Sequence, residues 1–152
     1  MNSEVSTSQP WVVHSDGSAV PNPGRMGIGA VLLAPDGTRH AISKVSDERG
    51  CNNEAELMAL TDALREAKRQ GATAVTLYCD NSVVVDQLVG TPVRPVARLA
   101  APLDAARLLM GDFERLELRW IPRHRNGEAD ALARAALGLS VKPASVPKRR
   151  RR

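Results

Sequence analysis

The strongest constraint on how this chain can fold is a change of hydrophobic period near Asn53. Before it come β-type runs: "WVVHS" over Trp11 to Ser15, then "IGAVLLAPDGTRHAISKV", two runs joined at Pro35-Asp36-Gly37. That junction is a turn with a mechanism, because Pro fixes φ and Gly permits φ > 0. The first run is expected to end at Asp16-Gly17, with "SAVPNPGRMG" as a loop. From Asn53 to about Arg69 the spacing turns helical, with Leu57, Leu60, Leu64 and Ala67 on one face, and Gly71 stops it. "AVTLYCD" reads as a buried-type strand ending at Asp80, and "NSVVVDQLV" as a short helix, with a strand as the alternative because of its β-branched residues. Arg98 to Met110 reads as a helix. "RLELRWIP" reads as a half-buried strand alternating Leu116, Leu118 and Trp120 against Glu117 and Arg119. "EADALARAALG" reads as an Ala-rich helix closed by Gly138. The order β-β-β-α-β-α-α-β-α predicts an α/β fold: a five-stranded mixed sheet, three antiparallel strands followed by β-α-β units, with helices on both faces.

A length of 152 residues suits one domain with a core and is short for two. We expect a flexible leader over residues 1–10, one globular domain over 11–138 and a disordered basic tail over 139–152. Aromatic residues make up only 3%, so Val, Leu, Ile and Ala must build the core. The net charge of +4 is concentrated at one end: taking Lys148, Arg149, Arg150, Arg151 and Arg152 from the 21 basic residues leaves 16 against 17 acidic. The domain is thus nearly neutral and carries a cationic tail, which fits contact with nucleic acid and equally fits a solvated end. Cys51 and Cys79 lack CxxC spacing and are expected as reduced thiols, the N-terminus has no apolar segment, and no apolar run approaches a membrane span. The expectation is a cytoplasmic protein without membrane contact.

The acids are informative by position. Asp16 ends the first strand, Asp80 ends the fourth, Glu56 lies in the first turn of the first helix and Asp130 in the first turn of the last. Strand ends and helix starts are where such a sheet gathers side chains from distant sequence. Four converging carboxylates repel one another, and divalent cations relieve this; all-oxygen ligands suit Mg²⁺ or Mn²⁺, and paired metals suit in-line displacement at phosphorus. Each acid also has a plain structural reading: Glu56 completing a capping box with Asn53, Asp130 favouring a helix N-terminus, Asp16 and Asp80 serving turns. At about 100° per residue, Glu56 shares the face of Leu60, Ala63 and Ala67, whereas Glu54 points towards Met58, Thr61, Arg65 and Lys68. Glu54 is expected to be a solvated surface acid and Glu56 the candidate ligand.

Taken together, "SDGSAVPNPGRMGIGAVL", "NNEAELMAL", "LYCDNS" and "NGEADALARAA" resemble, in order, the opening hairpin, first helix, fourth strand end and last helix of the type 1 ribonuclease H (ribonuclease HI) family, over about Trp11 to Leu137. The resemblance implies the ribonuclease H-like fold and a metal-dependent endonuclease that hydrolyses the RNA strand of RNA-DNA hybrids, leaving 5′-phosphate and 3′-hydroxyl ends. It implies two Mg²⁺ ions, with Mn²⁺ as a substitute, held by Asp16, Glu56, Asp80 and Asp130, with Asp16 bridging both, and a monomer acting on the hybrid. It also places Asn22, Asn52 and Asn53 near the minor groove, and the backbone around Gly17 and Ser18 against the RNA; amides both donate and accept, as 2′-hydroxyls and base edges require. Ser82 stands where well-studied bacterial members carry glutamine. His124 aligns with an assisting family histidine when a gap follows it, and otherwise reads as a surface histidine between Arg123 and Arg125. His14 and His40 lie in strand patterns and are expected to be structural. The segment from Thr91 to Met110 lacks the basic, Trp-rich protrusion by which many bacterial members grip the DNA strand, which leaves the tail as the available positive charge.

Two other readings keep the fold: a binding module that has lost catalysis, against which the four intact acids speak, and an integrase-like or proofreading nuclease, which would lack the "DGS…NPG" and "NNEAEL" context. If the tail contacts phosphates, deleting Lys148 to Arg152 will weaken hybrid binding and flatten the dependence of log K on log salt by up to roughly 4 to 5 units, at about 0.9 per contact. An unchanged slope would make the tail a bystander.

Overall fold

The computed structural model describes residues 9–90 and 96–139. The expected leader over 1–10 falls largely outside them, and the tail residues Lys148 to Arg152 wholly so. Five strands, β1 (Trp11–Val20), β2 (Gly24–Leu33), β3 (Arg39–Gly50), β4 (Ala74–Cys79) and β5 (Arg115–Trp120), form one sheet in the order β3-β2-β1-β4-β5. β1 pairs antiparallel with β2 and parallel with β4, and β4 pairs parallel with β5, so the expected mixed sheet is present. Four α-helices complete the domain: α1 (Asn52–Arg69), α2 (Ser82–Val89), α3 (Ala100–Met110) and α4 (Gly127–Ala136), with 3-10 turns at Ala97–Leu99 and Arg123–Arg125. α1 packs on β1, β2 and α3, whereas α4 packs on β1, β2 and β3 from the other face. Among the described residues no helix is long and apolar enough to cross a membrane.

The aliphatic core follows the helical face read from sequence. Leu57, Leu60 and Leu64 of α1 are buried against Val13, Leu32, Val75 and Leu77 of the sheet, each leucine contributing about 1.5–3 kcal/mol relative to an exposed position. Leu99, Leu103 and Phe113 close the same cluster from α3 and its flanks. "NSVVVDQLV" is helical because Asn81 caps it: the Asn81 side chain accepts the Val84 N–H at 3.1 Å, and this local bond outweighs the β-branched residues. In β5 the alternation is weaker than expected. Leu116 and Leu118 pack on the core, but Trp120 remains 51% exposed, since β5 is an edge strand and its last residue runs past the core.

Three expectations about boundaries are corrected. β1 does not end at Asp16; its ladder with β2 runs on to Val20↔Arg25, and the turn lies at Pro21 to Pro23. Gly17 therefore serves close approach and not a turn: a Cβ there would sit 2.1 Å from the Ala55 carbonyl oxygen of α1. α1 begins at Asn52, which moves Glu56 past the first turn. The capping box forms two residues earlier than expected, with the Cys51 N–H donating to Glu54 Oε1 at 3.1 Å, so Glu54 is half-buried and occupied, not solvated. The cap released by Glu56 is thus supplied by its neighbour.

On the opposite face α4 lies so close that a Cβ at Gly29 would come within 2.2 Å of the Ala129 carbonyl oxygen. Gly29→Ala is expected to lower stability in urea unfolding by about 1–3 kcal/mol through this backbone clash. Gly127→Ala, with nothing within 4 Å of its Cβ, is expected to be near neutral. Equal losses would show that α4 moves freely against the sheet.

Candidate active site

Asp16 lies where the two neighbours of β1 part company. The parallel ladder with β4 stops at Ser15↔Cys79, whereas the antiparallel ladder with β2 continues, leaving a crevice beyond the carboxyl end of β4. Asp80 follows β4 directly, and Glu56 reaches the crevice from the sheet-facing side of α1. Oxygen atoms of Asp16, Glu56 and Asp80 all lie within 4.8 Å of one another. Asp130, in the first turn of α4, lines the same cleft of about 440 Å³ without entering that tight set. The structure therefore brings the four acids to one cleft.

The electrostatics of this cluster are unfavourable to full ionisation. Asp16 is 5% exposed; burial, with the charges of Asp80 and Asp130, pushes its carboxyl up to about 7 even though a hydrogen bond with Glu56 pulls the other way. Glu56, also 5% exposed, is pushed well above the usual carboxylate range, first by burial and then by its hydrogen bond and charge interaction with Asp16. The Cys79 thiol lies 3.9 Å from Glu56 Oε2 and is raised to about 12, chiefly by burial, so it stays protonated and un-nucleophilic. A hard divalent cation fits this donor set: it would meet oxygen ligands only and would relieve the repulsion that otherwise retains protons on Asp16 and Glu56.

The expected substrate contacts divide. Gly17, Ser18, Asn52, Asn53 and Ser82 line the cleft. Asn52 accepts the Ala19 N–H at 2.8 Å through Oδ1, and Asn53 Oδ1 accepts from Asn81 Nδ2 at 2.7 Å. Both amide oxygens thus accept internal hydrogen bonds at the edge of the cleft that the two residues line. Asn22 does not line it; its Oδ1 accepts the Asn52 N–H at 3.0 Å and so steadies the start of α1. His124 is exposed on the 3-10 turn and is not among the lining residues, whereas its neighbour Arg123 is. His14 stacks on Tyr78 and His40 on Trp11, at ring-centroid distances of 5.0 and 5.6 Å, in keeping with structural roles.

Sequence reasoning missed three contributors. Arg123 and Arg134 line the cleft beside the acids, and only the helical spacing of Arg134 from Asp130, four residues, pointed to it. Asn126 is 1% exposed and donates to Asp80 Oδ2 at 2.8 Å and to the Ser15 carbonyl at 2.9 Å. It stands just before α4, and its reach across to β1 and β4 was not legible in the sequence.

A family model described as reverse transcriptase-like matches residues 14–136. Ribonuclease HI of Halobacterium salinarum is 35% identical over 122 residues, covering 80% of this chain and 61% of that protein. The crystal structure of that archaeon's RNase H1 superposes with a TM-score of 0.80 at 32% identity, over 86% of this chain and 98% of that one. The bifunctional protein Rv2228c of Mycobacterium tuberculosis is 35% identical over 89% of this chain, which spans 37% of that protein's length. LC11-RNase H1, solved in complex with an RNA/DNA hybrid, superposes with a TM-score of 0.76 at 27% identity, over 84% of this chain and 96% of that one.

The raised carboxyl of Asp16 has a signed consequence for the metal-free protein. A carboxyl whose folded value is about 7 against 3.8 unfolded favours folding while protonated, and that contribution is lost as pH rises through about 7. With chelator present, Asp16→Asn is expected to melt several degrees above the parent at pH 8 and close to it near pH 4. Equal differences at both pH values would contradict the burial of this charge.

Proposed function

This chain belongs to the type 1 ribonuclease H family, and from that premise we propose that it is a metal-dependent endonuclease hydrolysing the RNA strand of RNA-DNA hybrids. The observation that carries the reading is the convergence of Asp16, Glu56 and Asp80 within 4.8 Å, with Asp130 on the same cleft. Asp16, Glu56, Asp80 and Asp130 would hold two Mg²⁺ ions, or Mn²⁺ in their place, and these supply activation of water and stabilisation of the leaving oxygen in phosphodiester hydrolysis, giving 5′-phosphate and 3′-hydroxyl products.

The protein's own groups do the rest. Asn52 and Asn53 line the cleft with their amide oxygens engaged internally, and their N–H groups would serve ribose oxygens and base acceptors along a minor groove. The main chain at Gly17 and Ser18 lines the cleft beside Asp16, where a nucleic-acid backbone would lie. Arg123 and Arg134 bring guanidinium groups to the same cleft, where a scissile phosphate would lie. Ser82, at the first position of α2, offers a hydroxyl at the rim. His124, exposed on the turn beside Arg123, remains in this reading an assisting residue that acts from outside the cleft. The basic tail supplies sequence-independent affinity for the hybrid. Two free cysteines fit a reducing compartment, and we place the protein in the cytoplasm as a monomer.

Cleavage of a labelled hybrid, compared with duplex RNA and single strands in one gel assay, tests the assignment. Asp16→Asn is expected to abolish cleavage and leave hybrid binding largely intact; retained metal-dependent activity would sink the reading. Glu56→Gln is expected to cripple cleavage, and Glu54→Gln to leave it nearly unchanged, since glutamine preserves the cap acceptor. Similar losses in both glutamate variants would overturn the separation of their roles.

A further inference from the structure

Asn126 occupies a position that no acid-ligand reading accounts for. Its Nδ2 donates to Asp80 Oδ2 at 2.8 Å and to the main-chain carbonyl of Ser15, the residue before Asp16, at 2.9 Å. Its main-chain carbonyl accepts the Asp130 N–H at 3.1 Å. One residue thus bonds to Asp80 itself, to the segment that carries Asp16 and to the turn that carries Asp130. The orientation of the amide admits no exchange, because both neighbours of Nδ2 are acceptors and only an NH₂ group serves two of them. Its Oδ1 is buried and has no partner among the described residues.

A buried amide with half of its capacity unmet is a poor choice for stability alone, and an apolar residue would fill the same space at lower cost. What the amide does that an apolar side chain could not is hold one oxygen of Asp80, and so fix the plane of that carboxylate, while tying it to β1. We propose that Asn126 is a positioning residue that sets the geometry of the acidic cluster before any cation binds, acting through Asp80, Ser15 and Asp130 and touching neither substrate nor metal. The inference rests on the reading of these acids as metal ligands. The Trp120 indole supports the same arrangement by donating to the Asp80 carbonyl at 3.2 Å.

The test compares Asn126→Ala with the parent by calorimetric titration of Mn²⁺ without nucleic acid, and by steady-state cleavage of a hybrid over a range of Mg²⁺. Asn126→Ala is expected to bind Mn²⁺ about 10- to 100-fold more weakly, as loss of a residue that orients a ligand does. At fixed low Mg²⁺ its kcat is expected to fall with KM for the hybrid unchanged, and excess Mg²⁺ to restore part of the rate. Leu103→Ala, a core change in α3 that does not line the cleft, controls for loss of stability: it should lower the melting temperature and leave Mn²⁺ affinity intact. Should Asn126→Ala not fold, Asn126→Ser carries the comparison, since serine retains a polar group at the start of α4 with one donor in place of the two that serve Asp80 and Ser15. Parental Mn²⁺ affinity in the folded Asn126 variant, or an equal loss in Leu103→Ala, overturns the proposal. A parent protein that binds Mn²⁺ but cleaves no hybrid overturns the functional reading instead, and the calorimetric comparison still decides the role of Asn126.

Discussion

Keeping Asp16 and Glu56 side by side out of water is the constraint around which the rest of the domain is arranged. Two carboxylates, each 5% exposed, with Asp80 inside the same 4.8 Å set, oppose folding whenever they are ionised. Neighbouring elements must hold them there, and they do so with main-chain and apolar contacts placed just behind the acids. The Leu57, Leu60 and Leu64 face fixes α1 on the sheet, the β1–β2 ladder runs on beyond Asp16, Asn81 caps the helix that starts next to Asp80, and Asn126 ties the start of α4 to Asp80 and β1. The destabilisation is local, and its compensation is spread over the whole core.

Much of the architecture was legible because it rests on short-range patterns. Period-two runs, the helical face of α1, the Pro-Asp-Gly turn and the closing glycines report local physics, and the sheet order follows from connection rules that leave few topologies. The four acids were legible for a related reason: strand ends and helix starts in an α/β sheet converge by construction. What local patterns could not report is where pairing with a distant strand prolongs an element. "SDGS" has the composition of a turn, and only β2, lying alongside, makes it continuous strand.

Local spacing could not decide between nearby residues suited to one role. Glu54 and Glu56 are both placed to cap α1, and an N-cap at Cys51, two residues before Asn53, hands the cap to Glu54. On the 3-10 turn at Arg123–Arg125 it is Arg123 that lines the cleft, a placement the run of three cationic-type residues could not specify. Asn126 was invisible as a site residue because its partners lie 111 and 46 positions away in sequence. A signal was present nonetheless, in an asparagine standing four residues before an acid at the start of an Ala-rich helix.

The close contact of Gly17 with the Ala55 carbonyl bears on how this site can change over time. Where a strand touches a helix main chain to main chain, no side chain lies between them whose size could be altered. Asp16 and Glu56 each follow or precede that contact by one residue, so their separation is inherited from backbone against backbone. Substitutions among the leucines and alanines of the core will change how firmly the domain holds together, and the spacing of these two acids will be the last quantity to drift.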